Sequence, residues 1–176
     1  MDKFFEEALK EAKIALSLGE IPVGCVIVRD GEIIGRGHNS TERDHNPTSH
    51  AEMNAIKEAG YLLGTTLGYR RLTGCDMYVT LEPCAMCAGA LVWSRIENLF
   101  IATSDPKAGG CGSVLNVTGE EKLNHKVNVF YLEDSQIKSE CQEIIRNFFK
   151  EKRELQKVEK ILKRNPETNY MKSSEN

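Results

Sequence analysis

The chain has 176 residues, 40% hydrophobic and 28% charged, with a formal net charge of −3 at pH 7. This balance suits one globular domain with a tail, and it excludes nucleic-acid binding through overall charge, because affinity for phosphate comes from fields of Lys and Arg. No apolar run is long enough to cross a bilayer, and Met1-Asp2-Lys3-Phe4-Phe5-Glu6-Glu7 lacks the basic and apolar regions of a secretory signal, so a cytoplasmic location is expected. In that reducing compartment the six cysteines (Cys25, Cys75, Cys84, Cys87, Cys111, Cys141) are poor disulfide candidates.

Asp2 to Leu18 places Phe5, Ala8, Leu9, Ala12 and Leu16 at helical spacing, with Gly19 as the stop. Val23 to Val28 and Glu32 to Gly37 flank Asp30-Gly31, a two-residue turn signal that predicts an antiparallel hairpin. Asn39 to Ser49 is polar and holds Pro47, so it is expected as a loop leading into a helix from near His50 to Gly60. A strand over Met77 to Thr80, a helix over Cys84 to Ser94 and a strand over Leu99 to Thr103 follow. Successive strand-to-helix steps imply crossovers and some parallel pairing.

Asp105 to Ser113, with Gly109, Gly110 and Gly112, is expected as a shaped loop, and Val127 to Leu132 as a last strand. From Asp134 a long helix carries Cys141, Ile144, Ile145, Phe148 and Phe149 on an apolar stripe that Leu155, Val158, Ile161 and Leu162 continue. Asn165-Pro166-Glu167 breaks it, and Met171 to Asn176 should be frayed. No internal repeat and no second domain are evident.

The chemistry concentrates in His50-Ala51-Glu52 and Pro83-Cys84-Ala85-Met86-Cys87. One imidazole and two thiols can hold zinc through three protein ligands, leaving the fourth position for water, with Glu52 near as a proton carrier. H-x-E followed by P-C-x-x-C is the known signature of zinc nucleobase deaminases. His50 and Glu52 are only two apart, so both can reach one site only if they stand at a helix end; two helices are therefore expected to aim their N-termini at a shared metal, where the dipole favours thiolates. Two blander readings compete. The cysteines could form a redox pair, or a structural zinc could recruit a fourth ligand from His38, His45, Cys75, Cys111 or His125. Asn39 could turn the chain or bond a base edge. Cys25, Cys75 and Cys141 read as core.

These segments, together with Ile21-Pro22-Val23-Gly24, Asn39, Pro47-Thr48-Ser49, Val79-Thr80-Leu81-Glu82, Asp105-Pro106-Lys107-Ala108-Gly109-Gly110-Cys111-Gly112-Ser113, Asn124-His125 and Phe148-Phe149, closely resemble the bacterial tRNA-specific adenosine deaminase family (TadA type) of the cytidine-deaminase-like superfamily. The likeness spans roughly Glu6 to Arg153. It implies a three-layer α/β/α sandwich with a central mixed sheet of about five strands; residues 1–164 are expected to form one zinc-dependent deaminase domain and 165–176 a short polar tail, and the chain past Lys157 runs longer than the usual family core.

The resemblance implies hydrolytic conversion of adenosine to inosine at the anticodon wobble position of a tRNA, typically an arginine tRNA, by a homodimer with one Zn²⁺ per subunit. His50, Cys84 and Cys87 match the zinc ligands. Glu52 matches the residue that takes a proton from water, gives it to N1 as C6 is attacked, and then protonates the departing amine. Asn39 and the backbone N–H of Ala51 match base contacts, while Asp105, Lys107 and Phe149 match the channel for flanking nucleotides. Arg70, Arg71, Lys107, Lys150, Lys152, Arg153, Lys157 and Lys160 are candidates for the RNA backbone, although Glu151, Glu154 and Glu159 also fit a solvated helix face laced with ion pairs. Phe149 could equally be core. A deaminase of free guanine or another small nucleobase, and a zinc-stabilised RNA-binding module, are the alternative functions.

Overall fold

The computed structural model describes residues 2–68 and 71–164. Arg70, the expected break at Asn165-Pro166-Glu167 and the stretch Met171 to Asn176 lie outside them. Nine elements follow in the order α1 (Asp2–Ser17), β1 (Gly24–Arg29), β2 (Glu32–His38), α2 (Ala51–Leu67), β3 (Asp76–Val79), α3 (Ala85–Ser94), β4 (Asn98–Ile101), β5 (Asn128–Tyr131) and α4 (Gln136–Arg164) among the described residues.

The strands form one sheet in the order β2-β1-β3-β4-β5, antiparallel from β2 to β3 and parallel from β3 to β5. The β1–β2 turn places Asp30 at φ 52° and Gly31 at φ 81°, the two positive dihedrals that an Asp-Gly hairpin requires. Because β1 alone runs against the others, its start and the ends of β2, β3 and β4 share one edge of the sheet. The helices that follow β2 and β3 therefore begin at that edge, where ligands of open α/β sheets bind.

Strand alternation divides the core into two layers. On one face Cys25, Ile27, Met77, Val79 and Leu99 pack with Ala51, Ala55, Ala59 and Leu63 of α2 and Ala88, Leu91 and Val92 of α3. On the other Val26, Val28 and Tyr78 pack with Phe5, Leu9 and Ala12 of α1 and Cys141 of α4. This is the expected three-layer sandwich, with Cys25, Cys75 and Cys141 fully buried. Two strand glycines set how closely the layers approach. A Cβ on Gly24 would lie 2.3 Å from the α1 backbone at Ala12, and one on Gly37 would lie 2.0 Å from the Ala51 carbonyl oxygen.

Four details differ from expectation. Helix α2 runs through Gly60 to Leu67 and stops at Gly68, whose φ is 67°. One interior glycine costs about 1 kcal/mol, and buried Ala59 and Leu63 keep that face on the sheet. On α1, Leu16 is 39% exposed and Ala15 takes the buried position, two turns on from buried Ala8. Helix α4 begins at Gln136 rather than Asp134, whose carboxylate accepts from Lys138 Nζ at 3.1 Å instead. Its stripe is buried only at Cys141 and Phe148. Leu155, Val158, Ile161 and Leu162 are 61%, 53%, 63% and 47% exposed, because the helix extends beyond the sheet that its first half covers.

Candidate active site

His50 and Cys84 are the N-cap residues of α2 and α3, both with extended backbones. Their side chains project past the helix starts rather than along a helical face, which lets His50 and Glu52, two residues apart, serve one site. Cys87 comes in from the first turn of α3 and is fully buried. Nδ1 of His50 lies 3.7 Å from Cys84 Sγ and 3.6 Å from Cys87 Sγ. The expected convergence of two helix N-termini is what the fold builds.

A cation can be tested against these separations. With Zn–S near 2.3 Å and Zn–N near 2.0 Å, a tetrahedral site puts neighbouring N and S ligands about 3.6 Å apart. The donor set therefore fits zinc in both chemistry and spacing. Among the described residues no fourth His, Cys, Asp or Glu joins the group. His38 Nδ1 is 2.9 Å from Glu11 Oε2, His45 is exposed, His125 Nε2 sits 2.6 Å from the Ile96 carbonyl oxygen, and the Cys111 thiol points to the Pro83 carbonyl oxygen. Cys75 is in the core around Leu72. A closed structural site thus lacks a ligand.

Electrostatics suit the same use. The Cys84 thiol is pulled down to about 3, chiefly by the Cys87 thiol donating to it and then by His50. Cys87 is pushed up because it carries the proton the pair shares. Glu52, 3% exposed, is raised above the ordinary carboxylate value by burial, with the Cys84 charge adding to the effect. Its carboxyl also meets Cys87. A buried carboxyl with a raised pKa beside a metal-ligand cluster is equipped to accept and return a proton.

Sequence patterns did not reveal the two carboxylates that shape the surroundings. Glu82, 3% exposed at the end of β3, accepts from the backbone N–H of Asp105 at 3.0 Å, Cys111 at 3.1 Å and Ser113 at 3.0 Å, and from the Ser113 hydroxyl. It folds the glycine loop onto the start of α3, so that a Cβ on Gly110 would lie 2.8 Å from the Ala85 nitrogen. Glu20, 1% exposed, does the same for the segment after β2 and holds Asn39. Burial alone would raise the Glu82 pKa, but hydrogen bonds from Ser113, Asp105 and Cys111 outweigh it and hold the group below 4.5.

A carboxylate depressed in the folded state adds stability above its unfolded pKa and loses it as pH falls through the folded value. Thermal melts should therefore show wild type weakening below about pH 4.5. E82Q should be less stable near neutrality by about 2 kcal/mol and less sensitive to acid. Parallel acid profiles of the two proteins would contradict this role for Glu82.

Between the Asp105 loop and α4 runs a groove of about 450 Å³, lined by Leu81, Thr103, Asp105, Lys107, Arg146, Phe149 and Arg153 among others. Phe149 is 40% exposed and packs edge-on against buried Phe148, so Phe148 is the core residue and Phe149 the rim residue. Asp105 Oδ1 accepts from the N–H of Lys107 at 2.9 Å and of Ala108 at 3.3 Å, closing its own turn. Across α4, Lys152 and Arg153 line a second groove with Ile21, Thr41 and Phe149.

Arg146 is a cation the sequence reading missed; its spacing of three residues from Phe149 and seven from Arg153 marks one helix face. Lys150, Lys157 and Lys160 line neither groove, and among the described residues no ion pair joins them to Glu151, Glu154 or Glu159. Arg71 follows the C-terminal end of α2. That helix spans about 25 Å from its start beside His50.

The family profile "cytidine and deoxycytidylate deaminase zinc-binding region" matches residues 1–103. The chain is 49% identical over 150 residues to the tRNA-specific adenosine deaminase of Aquifex aeolicus, covering 85% of this chain and 94% of that protein. A solved structure from a study of A-to-I editing by tRNA:A34 deaminases superimposes with a TM-score of 0.73 at 38% identity, over 82% of this chain and 99% of that one. A guanine deaminase from Bacillus subtilis superimposes with a TM-score of 0.55 at 30% identity, over 83% and 93% of the two chains. Sequence, fold and the His-Cys-Cys group agree that the chain belongs to the zinc-dependent tRNA-specific adenosine deaminase family.

Proposed function

We propose that this protein hydrolytically deaminates adenosine to inosine at wobble position 34 of a tRNA anticodon, in line with its relatives' descriptions, and that the tRNA is typically an arginine tRNA. The observation that carries this over a small-nucleobase enzyme is the 49% identity to a tRNA-specific adenosine deaminase, and a groove rimmed by Lys107, Arg146, Arg153 and the exposed ring of Phe149 supports it. A pocket for free guanine needs to enclose its ligand, whereas a flipped nucleotide brings its neighbours with it.

His50, Cys84 and Cys87 would hold zinc, which when bound supplies a Lewis acid able to bring the pKa of water to about 7. Glu52 takes one proton from water and delivers it to N1 of the purine as the water oxygen adds to C6, then moves the second proton of that oxygen to the amine, which leaves C6 as ammonia. Ala51 offers the base one of the N–H groups that a helix start leaves without an intrahelical partner, and Asn39 contacts the base from the end of β2. Phe149 stacks with a flanking base in place of its lost neighbour, and Asp105 shapes the loop that presents Lys107. Residues 1–164 act as a single deaminase domain carrying the polar tail 165–176.

The protein works as an RNA-binding homodimer in the cytoplasm. Among the described residues no helix is long and apolar enough to cross a membrane, and α2, α3 and the glycine loop expose Tyr61, Leu62, Leu67, Trp93, Val114 and Leu115 for a second copy. Light scattering should give twice the 19.7 kDa chain mass, and a monomer with full activity would overturn the dimer.

Zinc-loaded protein incubated separately with an arginine tRNA carrying A34, with guanine and with cytidine should convert only the tRNA. Turnover of guanine with the tRNA untouched would favour the small-nucleobase enzyme.

A further inference from the structure

Glu20 stands in the turn between α1 and β1, 1% exposed, and its partners belong to the segment that follows β2. Oε1 accepts from the N–H of Arg43 at 2.8 Å; Oε2 accepts from Asn39 Nδ2 at 3.0 Å, the Thr41 hydroxyl at 3.3 Å and the N–H of Glu42 at 3.3 Å. Burial favours its neutral form, but these donors outweigh burial and lower its pKa. The carboxylate therefore has acceptors only, and Asn39 cannot turn its carbonyl oxygen toward it without setting two lone-pair atoms together.

The second N–H of that amide has its own acceptor, Thr41 Oγ1 at 3.1 Å. With both protons engaged, Asn39 Oδ1 has no partner among the described residues. The Asn39 main chain is held at the edge where α2 begins, its N–H bonded to the Val23 carbonyl oxygen at 3.0 Å. Two residues earlier, Gly37 touches Ala51 beside His50.

We propose that Glu20 is a positioning residue for substrate recognition: it fixes the Asn39 amide with Nδ2 turned inward, so that Oδ1 is presented to an N–H or O–H donor of the bound nucleoside. This rests on the deaminase reading of the site. The arrangement selects by polarity, since a substrate group offering only a lone pair at that point would face an acceptor that cannot rotate away.

Two measurements test it on the full-length zinc protein. In NMR spectra of protein with isotope-labelled asparagine and no RNA, both side-chain N–H protons of Asn39 should be protected from solvent exchange; exchange like that of an exposed amide would overturn the proposal. This arm needs no variant and no turnover, so an inactive wild type would sink the deaminase reading and leave this result standing. In the kinetic arm, N39D places two carboxylates together and should lower kcat/KM on the tRNA by about 10²-fold or more. Adding E20Q to the same chain supplies an amide donor to the carboxylate introduced at position 39 and should bring kcat/KM back to within about 10-fold of wild type, at unchanged zinc content. A double variant no more active than N39D would overturn the proposal.

Discussion

Replacing Glu52 by Gln should leave a folded protein with its zinc and lower turnover on the tRNA by roughly 10² to 10⁴-fold. The substitution keeps the shape of a side chain that is 3% exposed, so the fully buried apolar residues around it, Ala51 and Ala55, lose no contact. What disappears is the capacity to carry a proton. Two water protons must reach N1 of the base and the departing amine within one small site, and among the described residues the group formed by His50, Cys84 and Cys87 contains no carboxylate that could replace Glu52. The loss should fall on kcat, because a proton carrier acts in the transition state more than in binding. Single-turnover kinetics with parallel metal analysis separate the two. Unchanged activity in E52Q would instead favour a zinc-stabilised RNA-binding module.

Replacing His50 by Ala should remove both the metal and the activity. The site has three protein ligands among the described residues, and the two that remain are thiols on the first turn of one helix. Without the imidazole the pair also loses a partner that helps keep Cys84 as a thiolate. Zinc held at about 1,000 times its dissociation constant contributes roughly 4 kcal/mol to the folded state. Losing it should lower Tm by roughly 10 °C in a domain of this size. Excess zinc should restore neither property, and stoichiometric zinc with normal turnover in H50A would contradict the ligand assignment.

How far the sequence reveals these parts depends on whether the underlying interaction is local. The Asp30-Gly31 turn and the helix starts at His50 and Cys84 are written in neighbouring residues, and each is where the pattern predicts. The end of α2 is not, because Gly60 weakens a helix only slightly when Ala59 and Leu63 hold that face on the sheet. Adjacent Phe148 and Phe149 carry identical chemistry, and only the position of α4 against the sheet decides that the first is core and the second rim. Glu20 and Glu82 look like ordinary charged residues in the chain. Their partners lie 19 to 31 residues away, at spacings that no helix or strand period would mark.

In the proposed reaction, water activated between the His-Cys-Cys group and Glu52 replaces the amine of one adenosine inside a folded RNA. The most direct test is to react the arginine tRNA in water enriched in heavy oxygen, digest it, and read position 34 by mass spectrometry. One heavy oxygen is expected in inosine at that position, with one ammonia released for each inosine formed. Inosine without the label, or an unchanged A34 beside active turnover of a free nucleobase, would contradict it.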